Sequence, residues 1–278
     1  MAQPDDIERQ QVIDTVISVL TAISDRQPPF AEAHQYLLPD CTCVLSQPDW
    51  LVVSPLKDHV YSVETLIADA LSDGTSSIEQ TLCSPNPEVW VHDDLAAVWA
   101  GYNVSLDGRE ASKGNILFSL LKVDDAWKIC GVADKQWIAG SAPPELCSDL
   151  DTDPDIMAPV NALLAAFSDP DWDAISRWFL EGGSSVQIRP PTPYQVITLE
   201  QSIARLQDIR ERLAPGTTFS ESLHDIQVRT CGNLGFIWAP FVIETGGKES
   251  HKGVNIFSLL KKDHWVISGC QNIGKPVN

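Results

Sequence analysis

The chain is short of positive charge, of metal-binding motifs and of long apolar runs. Only 19 of its 278 residues are Lys or Arg, against 38 Asp or Glu, for a formal charge of −19. So acidic a surface repels phosphate backbones and anionic lipid, so neither nucleic acid nor a membrane is an expected partner. No apolar run approaches the ~20 residues of a membrane span. Residues 1–6 hold neither a basic nor an apolar leader segment, and the expectation is a cytoplasmic protein. Cys-x-x-Cys and His-Glu-x-x-His are both absent, which leaves no motif for zinc or another metal. The 7 cysteines follow no small disulfide framework and read as free, apolar thiols.

What the chain has is a repeat. Residues 113–122 read Lys-Gly-Asn-Ile-Leu-Phe-Ser-Leu-Leu-Lys, and residues 252–261 read Lys-Gly-Val-Asn-Ile-Phe-Ser-Leu-Leu-Lys. Seven of the ten positions are identical at a constant offset of 139 residues. That spacing indicates a duplicated domain, not a short-period solenoid. Pro143, Pro144, Pro154 and five acids occupy residues 141–155 without periodicity, and read as a linker between domain 1 (1–140) and domain 2 (156–278).

Each half runs from helices to strands. Ile13, Val16, Ile17, Leu20 and Ile23 recur at helical spacing over 12–24. A second short helix carries Phe30, Tyr36, Leu37 and Leu38, and a third spans 63–71. Strands are expected at 41–45, 50–53, 88–92, 96–105, 113–123 and 127–132, with a hairpin at Asp107-Gly108. In the second half Val160, Leu163, Leu164 and Phe167 match the first helix, and Trp178 takes the place of Tyr36. Thr198 and Gln201 suit a capping box, and Glu64 and Glu200 read as first-turn acids. Strands follow at 226–230, 234–244, 252–261 and 265–269, with Thr245-Gly246-Gly247 in the place of the Asp107-Gly108 hairpin. This order is α+β, with antiparallel meanders. In 252–261, Asn255, Phe257 and Leu259 share one face and Ile256, Ser258 and Leu260 the other. Two apolar faces call for a cover on each. The simplest cover is the other repeat's sheet, back to back in a monomeric intramolecular pseudo-dimer.

The helices-then-meander order resembles the NTF2-like (cystatin-like, α+β cone) superfamily. The run Val89-Trp90-Val91-His92-Asp93-Asp94-Leu95-Ala96-Ala97-Val98-Trp99-Ala100-Gly101-Tyr102 is similar to its SnoaL-like and lumazine-binding-like branch. Trp238-Ala239-Pro240-Phe241, His251 to Phe257, and the closing Trp127-Lys128-Ile129 and Trp265-Val266-Ile267 extend the likeness to both halves. The resemblance implies two tandem cones, each with three helices packed on a curved antiparallel sheet. It also implies an apolar pocket in which a few polar groups transfer protons, with no metal and often no cofactor. Its members include isomerases, dehydratases and cyclases, hydrolases and non-catalytic carriers.

On that frame the expected ligand is a hydrophobic, natural-product-like small molecule. The candidate acid/base residues are His251, Asp134 and His224. Asn255 and Arg189 are candidate carbonyl or anion anchors, and Trp238, Phe241, Trp178, Tyr36, Trp99 and Tyr102 candidate walls. Each has a plainer alternative: a solvent-exposed His at a hairpin end, a loop His, a strand-end Arg, a C-terminal turn Asp, or core aromatics. His251 and Asn255, about 13 Å apart along one strand, cannot share a proton but can line one elongated pocket. Ser112 and Ile116 take their places in the first half, which favours the second cup as the working one. A carrier and a protein-interaction scaffold are the alternatives to an enzyme.

Overall fold

The computed structural model describes residues 4–24, 31–47, 50–83, 87–141, 153–169, 171–189 and 193–277. Phe30 and most of the linker lie outside them. The chain divides into two units, Met1–Ser148 and Asp149–Asn278. Among the described residues, no helix is long and apolar enough to cross a membrane.

In the first unit α1 (Pro4–Ser24) is followed by α2 (Ala31–His34), β1 (Thr42–Gln47), β2 (Trp50–Pro55) and α3 (Leu56–Ser72). Then come β3 (Ile78–Leu82), β4 (Glu88–His92), β5 (Leu95–Leu106), β6 (Arg109–Val123) and β7 (Ala126–Ile138). The buried stripe of α1 is Val12, Val16, Val19 and Leu20; Ile17, expected on it, is 47% exposed. Helix α2 is a single turn, so Tyr36, Leu37 and Leu38 lie beyond it, and Leu37 bridges Ile129 of β7. Glu64 sits mid-helix in α3, not in its first turn as expected.

The second unit repeats the plan. A 3-10 turn (Pro154–Met157) leads into α4 (Ala158–Ser168) and α5 (Trp172–Ile175), then β8 (Phe179–Ile188), β9 (Gln195–Thr198) and α6 (Leu199–Arg212). The meander is β10 (Phe219–Leu223), β11 (Gln227–Cys231), β12 (Leu234–Thr245), β13 (Lys248–Lys261) and β14 (Trp265–Pro276). Thr198 and Gln201 form the expected capping box on α6. Leu199 of α6 packs with Val160, Ile237, Phe257 and Trp265 in one core cluster. Each such buried side chain contributes about 1.5–3 kcal/mol relative to exposure.

Both sheets have seven strands in matching order. The first runs β2-β1-β7-β6-β5-β3 with β4 also on β5; the second runs β9-β8-β14-β13-β12-β10 with β11 also on β12. Each unit is therefore an α+β cone, and the two cones are tandem copies. Asp107-Gly108 and Gly246-Gly247 make two-residue hairpins with positive φ at both positions, which matches the twist of the flanking strands. A bulge sits between Ser119 and Leu120 on β6 and at the matching Ser258 and Leu259 on β13. Bulges bend a strand and increase its twist. Cys41, Cys43, Cys83, Cys130 and Cys270 are free, as expected, but Cys231 is disulfide-bonded, which corrects the all-thiol reading.

Candidate functional site

In the second unit the alternation of strand side chains sends one set into a cavity of about 730 Å³ under α4 and α6. Phe241 and Ile243 of β12, His251, Asn255 and Phe257 of β13, and Cys270 and Asn272 of β14 line it. β8 and the residue after it add Ser185, Gln187 and Arg189, and β10 adds Phe219 and Glu221. Phe167, Leu199, Ile203 and Leu206 roof it. The lining is largely apolar; Arg189 and Glu221 are the charges on the sheet side, and Arg205 and Asp208 are those on α6.

Arg189 and Glu221 are tied to the two asparagines and to each other's charge. Arg189 Nη1 donates to Asn272 Oδ1 at 2.5 Å and to the Ile188 carbonyl at 2.9 Å. Asn255 Nδ2 donates to Glu221 Oε1 at 2.7 Å. Burial pushes the Glu221 carboxyl up to about 7, against the opposing pull of the Asn255 amide and the Arg189 charge. Burial, and then Arg189, lowers the His251 imidazole below its ordinary value, so it is neutral at neutral pH. The set therefore offers a fixed cation, a carboxyl that titrates near neutrality, and a neutral imidazole.

The first unit holds a different set in a cavity of about 830 Å³. Tyr102 Oη donates to Asp134 Oδ2 at 2.8 Å, and the Ser46 N–H donates to Asp134 Oδ1 at 3.2 Å. Asp134 is 6% exposed, and burial raises its carboxyl to about 7 despite both donors. Tyr102 is pushed well above the ordinary phenol range by burial and by Asp134. His59 of α3 also lines this cup, and burial lowers it to about 4.

Sheet register aligns the two cups position by position. Val104 pairs with Ser112 and Ile116 with Asp134, as Ile243 pairs with His251 and Asn255 with Asn272. Gln80 opposite Val104 corresponds to Glu221 opposite Ile243. On the strand beside β7 or β14, Leu45 pairs with Asp134 and Gln187 with Asn272, so Gln47 corresponds to Arg189. The frame is shared, but the acid has moved from the β7 position in one cup to the β10 position in the other.

Both acids bind protons more tightly folded than unfolded. The stability this contributes is complete below pH ~4 and is lost as pH rises through about 7. Urea unfolding across that window is expected to show a smaller alkaline loss in the Asp134→Asn, Glu221→Gln double variant than in the wild type. Equal slopes would show that neither carboxyl is shifted.

Of the residues singled out from sequence, the second cup gathers His251, Asn255, Arg189 and Phe241, and the first gathers Asp134 and Tyr102. Asp134 is not in a terminal turn, because β7 runs on to Ile138. His224 is exposed in the turn after β10 and lines neither cavity. Trp99 and Trp238 are buried but alternate with the inward residues of β5 and β12, so they face away from the cups. Trp178 sets its ring edge-on to His264, and Tyr36 is half-buried; neither lines a cavity. Glu221 and His59 were missed. Glu221 lies on a strand whose inward face reads Phe219, Glu221, Leu223, and the acid interrupts its apolar pattern. The matching Ile78, Gln80, Leu82 of β3 is the signal that identifies it. Among the described residues, no group of three or more His, Cys, Asp or Glu is placed to hold a metal ion.

No protein-family model and no curated protein matches the chain. Solved structures it is similar to include NTF2-like and cystatin-like proteins, each covering about half of it. An NTF2-like protein of unknown function from Shewanella baltica OS155 is 8% identical over 50% of this chain and 100% of its own, with a TM-score of 0.36. A cystatin-like protein of unknown function from Nostoc punctiforme PCC 73102 is 12% identical over 49% of this chain and 95% of its own, with a TM-score of 0.36. An NTF2-like protein of unknown function from Shewanella oneidensis MR-1 is 12% identical over 45% of this chain and 97% of its own, with a TM-score of 0.35.

Proposed function

We propose that the second cup binds a small molecule with an apolar body and a carbonyl or carboxylate head, and moves a proton on it. Arg189 and Asn255 anchor the head, while Phe241 and the roof of α4 and α6 hold the body. Glu221 exchanges the proton and neutral His251 assists as acceptor. Isomerisation or elimination next to the carbonyl is the reaction class this set serves. One observation carries the reading: the hydrogen-bonded pairs Arg189–Asn272 and Asn255–Glu221, coupled by the Arg189 and Glu221 charges, stand together in a largely apolar cavity. A cavity of about 730 Å³ falls in the range of about 300–1,000 Å³ of small-molecule sites.

The test needs no knowledge of the natural substrate. Apolar oxo acids are incubated with the full chain in heavy water, and deuterium uptake at the carbon beside the carbonyl is followed by NMR. Wild-type protein should accelerate uptake, Arg189→Gln should raise KM, and His251→Ala and Glu221→Gln should lower kcat. Tight binding without uptake would favour a carrier over an enzyme. Absence of both would sink the reading.

A further inference from the structure

We propose that the first cup is a second ligand site, selective for a protonated amine carried on an apolar body, with Asp134 as its counter-ion. The proposal rests on the first unit alone and does not depend on the role given to the second.

Charge separates the two cups. Arg189 and Arg205 line the second cavity, whereas no Lys or Arg among the described residues lines the first. The position of Arg189 is taken by Gln47, whose amide donates to Gln136 Oε1 at 2.5 Å. An anionic ligand in the first cup would lie near Asp134 with no lining cation to offset it, and burying an uncompensated charge is costly. A cation meets the reverse situation. Asp134 is 94% buried on the cup floor, and each carboxylate oxygen takes one protein donor, from Ser46 or Tyr102. Each oxygen keeps a further lone pair for an ammonium group.

The surroundings agree. The ionisable groups facing Asp134 are Tyr102 from β5 and Cys43 from β1; Lys135, its neighbour in sequence, also acts on its charge but turns to the opposite face over the Trp137 ring. His59, uncharged at neutral pH, and exposed Asp58 line the same cavity from α3. Asp58 and the net charge of −19 draw cations toward the mouth. Ile116 and Phe118 of β6 and Ile129 of β7 supply walls for an apolar body.

Isothermal titration of the full chain with three probes of one shape tests this: aminoadamantane, adamantanol and adamantane carboxylate. The amine should bind at least about tenfold tighter than the alcohol at pH ~8. Its affinity should rise about tenfold between pH ~6 and ~8, as Asp134 ionises while the amine stays protonated. Asp134→Asn should remove at least about tenfold of that affinity, the worth of one hydrogen bond to a charged group. Tyr102→Phe, which deletes a donor to the carboxylate, should keep amine binding but move the pH midpoint upward. The wild-type pH profile keeps the proposal testable if Asp134→Asn fails to fold. Equal affinity for alcohol and amine, amine binding that strengthens toward low pH, or amine binding that survives Asp134→Asn would overturn it.

Discussion

Gly253→Ala should destabilise the second unit more than any exposed substitution in it. A Cβ built at Gly253 would lie 1.8 Å from the Ile273 carbonyl oxygen and 2.8 Å from its carbon. Both are backbone atoms, so no side chain can turn aside. Relief requires β13 and β14 to separate where Gly253 pairs with Gly274. That would disturb the strand that presents His251 and Asn255. Cβ clashes with backbone belong among the few mechanisms that cost about 4 kcal/mol or more. The same argument holds for Gly114, whose Cβ would lie 2.0 Å from the Lys135 carbonyl oxygen. This gives a physical reason for the Lys-Gly pair that opens both repeats. Urea unfolding followed by Trp fluorescence checks it. Gly247→Ala, at φ 73° in open space, is the control and should cost only about 1 kcal/mol. A loss at Gly253 no larger than at Gly247 would mean that the two strands do not approach so closely.

Glu221→Gln should lower proton transfer in the second cup by about 10²–10⁴, the usual worth of general acid–base help. The amide has the carboxylate's shape and its oxygen can still accept from Asn255 Nδ2, so the cavity should keep its form. Arg189 retains Asn272 as partner, so binding of the acidic head should change only a few-fold. The split is diagnostic: kcat falls while KM holds, whereas Arg189→Gln does the opposite. The pH profile should also lose its limb near neutrality, because the group that titrates at about 7 is gone. A purely structural Glu221 would instead show a lower melting temperature with kcat unchanged.

The frame was more legible than the chemistry. The repeat, the hairpins at Asp107-Gly108 and Gly246-Gly247, and the capping box of α6 depend on local residue types and were read correctly. So was the correspondence of Tyr36 with Trp178, since Leu37 bridges Ile129 and Phe179 pairs with Ile267 one residue further on. Strands β3 and β10 were missed because each is short and carries a polar residue on its inward face. Glu221 went with β10, although its partner Asn255 stood out as a polar residue on an apolar strand. Strand length misled as well. Ending the Trp127 strand at residue 132 made a turn acid the plainer reading of Asp134, whereas it sits in mid-strand facing Tyr102, inside the cup where an acid/base candidate has to be. Trp99 and Trp238 were placed correctly on strands, but which face lines a cup depends on where the helices pack, and that is a tertiary property.

Proton transfer in the second cup depends on the Glu221 carboxyl being poised near neutrality beside the Arg189 cation. Carbon NMR of carboxyl-labelled Glu, titrated in the wild type and in Glu221→Gln, tests it most directly. One Glu signal with a midpoint at about 7, absent from the variant and displaced upward when an apolar carboxylate binds at Arg189, is the expected result. Every Glu titrating in the ordinary range, with no response to the carboxylate, would contradict it.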